Sequence, residues 1–250
     1  MSIADTEELK KYYQNKTCAQ KYLDQRFSFP LGRILHEKQV SVVNHYISLT
    51  KPKKILELAC GPGRVTLDVN PPNDAKCVAV DASEEMLAIA RERLIANHKQ
   101  QWILKKEDIF LMNLKEKFDL IFSFRFIRHF RKRDRIKIYK TVKKHLANDG
   151  FFIFDVVNKE VSLPLRLKEG LDKYPVYDKL YTRDEFLKEM REEGFLVKEL
   201  IPTHPRYSLL YKIQIYLGPR SEKLTYNLLR FIENNCQSKN LEWIAVCQSA

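Results

Sequence analysis

The chain has 250 residues, 44% of them hydrophobic and 30% charged, with a formal charge of +12. Such a length and balance fit one α/β unit with additions, and no run of about 18 apolar residues is present that would cross a bilayer. Five widely spaced cysteines, at positions 18, 60, 77, 236 and 247, argue against a disulfide framework and against a zinc site. The excess of Lys and Arg attracts nucleic acid, anionic membrane or phosphorylated substrate alike, and singles out none of them.

The start, MSIADTEELKKYYQNK, is polar and helical in pattern and lacks the apolar stretch of a secretory signal, so a cytoplasmic location is expected. KYLDQRFSFPLGR follows, with Tyr22, Arg26 and Arg33. In LGRILHEKQVSVVNHYISL, Val40, Val43 and Ile47 fall at helical spacing and Val42 and Tyr46 widen the stripe, while Gln39 and His36 interrupt it. Short apolar runs then alternate with amphipathic segments: KKILELA, CVAVD, QWILKKED, FDLIFSF and GFFIFDVV read as strands. This rhythm predicts a parallel, doubly wound α/β sheet with helices on both faces.

Two of the helices carry readable caps. DASEEMLAIARERL starts on Ser83, with Glu84 and Glu85 in its first turn. YTRDEFLKEMREEGF has Thr182 and Glu185 at capping-box spacing and Gly194 as its stop. FLVKELIP and LEWIAVCQ supply two last strands, seven in all, and the long connection between them holds SEKLTYNLLRFIENN. Leu224, Leu228, Phe231 and Ile232 make its apolar stripe, which predicts a helical insertion over about 203–240 beside the sheet's functional edge. The expected organisation is a single domain over 1–250, with an N-terminal helical cap over 1–50, a ligand-binding core over 51–158 and a substrate-side half over 159–250.

ILELACGPGR, residues 55–64, reads as a strand, a tight turn and a helix start. Gly61 and Gly63 lack a Cβ and let backbone approach a ligand at the carboxyl end of the strand, where open α/β sheets bind. A dinucleotide fingerprint laid on Ala59 and Gly61 puts its third glycine on Arg64, where a long basic side chain fits poorly. Pro62 also removes an amide donor from a pyrophosphate cradle. An NAD-dependent oxidoreductase is therefore disfavoured.

Four motifs in order give a positive reading. Glu57, Ala59, Gly61 and Gly63 match an acid followed by x-G-x-G-x-G, with Ala for the first glycine. VAVDASEEMLAIAR sets Asp81 at a strand end and Met86 one helical turn on, KKEDIF offers Asp108, and FDLIFSF with LANDGFFIFDV continues the series. Over residues 50–158 the chain resembles the class I S-adenosylmethionine-dependent methyltransferases. The resemblance implies a Rossmann-like fold and S-adenosylmethionine as cofactor. It implies that Glu57 acts on the ammonium of the methionine moiety, that the Ala59, Cys60, Gly61 and Gly63 turn makes room for it, and that Asp81 accepts from the ribose hydroxyls beside Ala82. Met86 and Ile109 would sandwich the adenine, Asp108 would accept from its amine, and Ser123 would border the donor at the end of the fourth strand.

For the acceptor, the resemblance points to the loop after the fourth strand, SFRFIRHFRKRDR. Arg125 and His129 are the candidate catalytic residues, His129 as a base near neutral pH, and Arg128 a candidate for substrate contact. Asp155 and Asn158 end the fifth strand and are candidates to face the acceptor. No clustered His or carboxylate pattern calls for a metal. The function expected is methyl transfer to a small or medium metabolite, an anionic one such as a nucleotide-linked sugar or glycan precursor. The alternatives are an RNA methyltransferase, motivated by ten Lys and Arg between 125 and 145, and a catalytically silent module of the same fold that binds a partner. The acceptor atom, the pathway and the oligomeric state are not encoded in any motif.

Overall fold

A computed structural model of the protein describes residues 7–9 and 27–250; Tyr22 and Arg26 lie outside the described residues. A long helix, α1 (Pro30–Thr50), leads into β1 (Lys54–Leu58), the short α2 (Arg64–Asp68), β2 (Lys76–Asp81), α3 (Glu84–Ala96), β3 (Trp102–Lys106) and β4 (Phe118–Ser123). Then come α4 (Lys132–His145), β5 (Leu146–Asn158), α5 (Lys159–Glu169), a two-residue β6 (Leu180–Tyr181), α6 (Arg183–Glu192) and β7 (Phe195–Pro205). The helices α7 (Tyr207–Leu217) and α8 (Glu222–Asn235) precede β8 (Asn240–Ser249).

The strands run in the order β3-β2-β1-β4-β5-β8-β7, with β6 paired to β5 off that path. β1 to β5 pair in parallel, whereas β8 pairs antiparallel with both β5 and β7. The seven expected strands are all present. β6 was not anticipated, because two residues show no period. The chain steps outward from β1 to β3 and returns to β4 on the other side of β1, so the strand order reverses between β1 and β4. A crevice opens at their carboxyl ends there.

Side chains of a strand alternate between faces, and the inner strands bury both. Ile55, Cys77 and Ile153 pack with Val43, Ile47, Leu87 and Leu94 of α1 and α3. Leu56, Val78 and Phe152 pack with Ile138, Tyr139 and Val142 of α4 and with Phe186 and Met190 of α6. The local signals act as expected: Ser83 Oγ accepts from the Met86 amide at 3.2 Å, Thr182 and Glu185 form a reciprocal capping box, and Gly194 adopts φ 71°.

The insertion departs from its sequence pattern in two ways. It holds two helices, and α7, YSLLYKIQIYL, went unread because it is apolar on most sides. Its partner α8 turns Thr225 and Leu229 inward, with Ile232 half-buried, and leaves Leu224, Leu228 and Phe231 exposed. The expected core stripe is thus largely a surface stripe. Leu210 and Leu229 seat the hairpin on Leu31 and Ile34 of α1.

The basic run after β4 is also not one surface. Arg135 is buried, and its Nε and Nη2 donate to the two oxygens of Glu189 at 2.9 and 2.8 Å, joining α4 to α6. The Tyr181 hydroxyl donates to the same carboxylate at 2.5 Å. Removing one partner strands a charge in the core. Glu189→Ala is therefore expected to cost about 3–5 kcal/mol in urea unfolding, whereas Lys137→Ala, at the exposed Asp134 pair, should cost less than about 1 kcal/mol.

Candidate functional site

Where β1 ends, Ala59, Gly61 and Gly63 take φ of 52°, 55° and 71°, all in the left-handed region. Glycine adopts it freely and alanine only with strain, so Ala59 marks a turn whose shape its surroundings impose. The Cys60 amide donates to the Val80 carbonyl at 3.0 Å, Ser123 Oγ to the Leu58 carbonyl at 2.9 Å and Arg93 Nη1 to the Pro62 carbonyl at 2.7 Å. A Cβ at Gly63 would stand 3.1 Å from Ala90 Cβ, so this glycine lets α3 close on the turn. A Cβ at Gly61 would meet nothing within 4 Å, and Gly61 lines a cleft of about 880 Å³ open to solvent.

Asp81 ends β2 on that cleft. Its Oδ2 accepts from the Gly61 amide at 2.8 Å and its Oδ1 from the Ser83 amide at 2.9 Å. Each oxygen retains further acceptor capacity. Burial pushes its carboxyl up, while these amides and that of Ala82 pull it down. Ala82 and the buried Met86 and Ile109 line the same end of the cleft with Asp108, whose Oδ1 accepts from the Phe110 amide at 3.0 Å.

A second, polar hollow adjoins the cleft at the turn, sharing Ala59, Gly61, Pro62 and Phe124 with it and lined further by Glu57, Cys60 and Arg64. Glu57 is buried and accepts from the Thr66 hydroxyl at 2.5 Å. Burial raises its carboxyl to about 8, against the Thr66 hydrogen bond and the Arg64 charge, which lower it. Burial also lifts the Cys60 thiol well above its ordinary value, which opposes formation of a thiolate there. Arg64 explains the interruption of the α1 stripe. Its guanidinium reaches His36 Nδ1 at 2.6 Å and Gln39 Oε1 at 2.7 Å and stacks 4.0 Å from the Phe27 ring centroid. His36 Nε2 is in turn 2.6 Å from Asp68 Oδ2. Gln39 and His36 face the turn because Arg64 needs acceptors there.

The opposite wall is the segment after β4. Arg125 takes φ 58°, its amide donating to Asp155 Oδ1 at 2.5 Å, and lines the cleft together with Phe124, Phe126, His129 and Phe130. His129 Nδ1 lies 3.0 Å from the Tyr177 carbonyl oxygen and 3.0 Å from Asp178 Oδ1. Burial opposes ionisation of Asp178, but Arg128, His129 and Arg166 outweigh it and hold that carboxyl well below the usual range. Both contacts are made by Nδ1, so a neutral His129 donates from Nδ1 and carries its lone pair on Nε2.

Three residues expected toward the acceptor lie behind this wall. Arg128 is buried, with Nη1 3.0 Å from Asp155 Oδ2 and 2.7 Å from Glu242 Oε1, and Nε 3.1 Å from Asp178 Oδ1. Asp155 is spent on Arg128 and on the Arg125 amide. Asn158 caps α5 by accepting from the Glu160 amide at 3.0 Å and donates to the Asn240 carbonyl at 2.8 Å. Ser123 and Gly63 likewise brace the turn from outside the cleft. The phenylalanines 110, 124, 126 and 130 were missed as lining residues, although three of them stand in the stretch quoted for its charges. Asp178 was missed because it follows in a loop some fifty residues later, with no motif to mark it.

A doubly wound sheet with an acid-bearing glycine turn at its switch point and a strand-end Asp beside it defines the class I methyltransferase fold. Residues 55–150 match the family model described as a methyltransferase domain, in line with the resemblance of this stretch to the class I S-adenosylmethionine-dependent methyltransferases. The chain is 27% identical over 161 residues to a malonyl-[acyl-carrier protein] O-methyltransferase of Bacillus cereus, a match spanning 59% of this chain and 56% of that protein. The corresponding protein of Bacillus cytotoxicus is 32% identical over 105 residues, 40% of this chain and 34% of that one. The chain thus spans about half or less of the length of the curated relatives it matches. Among solved structures, magnesium protoporphyrin IX methyltransferase from Synechocystis, with bound SAH, superposes with a TM-score of 0.69 at 12% identity, over 98% of this chain and all of that one. An S-adenosylmethionine-dependent methyltransferase from Clostridium acetobutylicum does so at 0.59 and 17%, over 86% and 92%.

Two tests follow from the turn. Gly61→Val should keep the secondary structure seen by circular dichroism, since its Cβ meets no protein atom, yet abolish binding of S-adenosylhomocysteine by calorimetry because the side chain restricts the turn and enters the cleft. The second concerns Glu57. A carboxyl that keeps its proton in the folded state up to about pH 8 and loses it near its ordinary value when unfolded stabilises the fold at low pH and withdraws that stability as pH rises toward 8. Between pH 5 and 8.5 the ligand-free protein should therefore lose more stability to urea than Glu57→Gln, which cannot ionise. Parallel curves for the two proteins would mean that Glu57 is ionised in the folded state throughout.

Proposed function

We propose that the chain transfers a methyl group from S-adenosylmethionine to a small or medium metabolite that carries an acidic group. The observation that carries this reading is one cleft with two unlike ends, the Asp81 carboxylate and the open Gly61 position at one, Arg125 and His129 among phenylalanines at the other. The donor end fits the cofactor. A cradle at Gly61 that a side chain would fill admits its amino-acid arm, and Asp81, already oriented by two amides, keeps acceptor capacity for two ribose hydroxyls. Met86 and Ile109 offer apolar faces to adenine, Asp108 an acceptor for its amine, and Glu57 a carboxyl for the ammonium group.

When bound, the cofactor supplies a methyl group on a positively charged sulfur, which an acceptor displaces in line. The remaining task of the chain is alignment, which contributes on the order of 7–11 kcal/mol where reacting atoms are held in contact. Arg125 pairs with the acceptor's acidic group and fixes its approach. His129 takes the acceptor's proton on Nε2, the nitrogen left without one by the Tyr177 and Asp178 contacts of Nδ1. The curated relatives are named for O-methylation of a malonyl group on acyl-carrier protein, which supports an acidic acceptor. A glycan or nucleotide-sugar acceptor remains within this class. Transfer to RNA has less support, because Arg128 and Arg135 of the basic run are consumed by buried ion pairs.

Variants at the two ends should separate. Asp81→Ala is expected to weaken S-adenosylhomocysteine binding by about 1.5–3 kcal/mol, the loss of hydrogen bonds to a charged acceptor. Arg125→Ala and His129→Ala should keep that affinity within about threefold and lower the transfer of labelled methyl into fractionated metabolites. Equal loss of donor affinity in all three variants would assign both walls to the cofactor and remove the acceptor site from this cleft.

A further inference from the structure

The hairpin of α7 and α8 exposes apolar side chains that its packing does not use. On α8, Leu224, Leu228 and Phe231 stand at i, i+4 and i+7, a solvent-facing stripe in which Leu224 is 60% and Phe231 64% exposed. On α7, Ile215 is 50% and Tyr216 67% exposed, with Leu209 and Tyr211 also open. In place of this stripe, the inward side of α8 buries Thr225 and Leu229. An exposed stripe of three large apolar side chains beside the buried side of α8 is not used by the packing of the fold, and an apolar surface of this kind marks an interaction site.

The charge on the hairpin selects the partner. Lys212, Arg220, Lys223 and Arg230 lie on the two helices and their turn, and among the described residues none of them pairs with a carboxylate, while Glu222 is neutralised by Arg33 and Glu233 is turned inward against His204. Exposed aliphatic and aromatic groups interleaved with unpaired cations are what a helix lying in a membrane interface presents: the apolar groups enter the headgroup boundary and the cations meet anionic lipid. A second copy of the chain is a poor occupant, since it would oppose four like charges with four more and the whole chain carries +12. No helix among the described residues is long and apolar enough to cross a membrane, so the contact would be peripheral.

We infer that the α7–α8 hairpin docks the protein on an anionic phospholipid surface. This inference does not depend on the methyl-transfer reading, and its test does not use turnover.

The test is flotation of the full chain with vesicles of phosphatidylcholine alone and of phosphatidylcholine with about one third phosphatidylglycerol. Binding to the anionic vesicles should exceed binding to the neutral ones at least tenfold. It should fall at least tenfold in the triple variant Leu224→Ser, Leu228→Ser, Phe231→Ser, and also in Lys223→Glu with Arg230→Glu. S-adenosylhomocysteine affinity, measured on the same preparations, should stay at the parent value, since these side chains are exposed and away from the cleft. If the triple variant does not fold, Ile215→Ser with Tyr216→Ser on the other helix serves in its place. Failure to float, or flotation undiminished by loss of the apolar stripe, overturns the inference. So does a dimer in sedimentation that the triple variant abolishes, or salt-resistant capture of an acidic protein without any lipid binding.

Discussion

One carboxylate joins the parts of the cleft's glycine-turn end. Asp81 is the last residue of β2, and its two oxygens take one amide from the turn after β1 and one from the start of α3. Three segments that are separate in sequence are thereby held at the same point. The glycines permit the turn, but the position of the turn is set from the neighbouring strand. The strain at Ala59 is tolerated because the Cys60 amide, the Leu58 carbonyl and the Pro62 carbonyl are each tied to a different element.

The far wall is held by buried charge in place of backbone. Arg128 gathers Asp155 from β5, Glu242 from β8 and Asp178 from the loop before β6, and Arg166 of α5 adds a second cation to Asp178 at 2.6 Å. Such a cluster costs desolvation and is weak as a source of stability. Its effect here is positional. Asp155 fixes the amide of Arg125 in a left-handed conformation, and Asp178 and Tyr177 orient the ring of His129. Two residues that line the cleft thus depend on two acids that do not.

What could be read from the residues divides along the same line. Strands, caps and the glycine turn are local: their signals are spacing, alternation and single-residue dihedral preference, and they survive any tertiary context. The candidate cofactor residues could be read as motifs because the glycine turn, Asp81 and Asp108 follow successive strands in a fixed order, with Met86 on the helix after Asp81. Asp155 and Asn158 were read toward the acceptor from the end of the fifth strand and Arg128 from the loop after the fourth, which gives a place but not a direction, and their side chains turn to buried partners. Gln39 looked like a defect in a stripe until Arg64 supplied a reason for it. The α8 stripe shows the converse. Leu224, Leu228 and Phe231 have core periodicity, yet the helix buries another side, because periodicity reports that a face is apolar and not what covers it.

The strand order carries a consequence for how the chain is assembled. β8, residues 240–249, lies between β5 and β7, pairing antiparallel with both. During synthesis the parallel half, β1 to β5, is complete about ninety residues earlier, since β5 ends at Asn158. Until β8 emerges, β5 offers an edge of unpaired N–H and C=O groups on an apolar strand, the kind of edge that recruits other strands. β7, already made, has no neighbour to join it to the sheet. The ribosome must therefore deliver residues 240–249 before either strand finds its place, and a chain halted at α8 would expose both to chaperones and to aggregation.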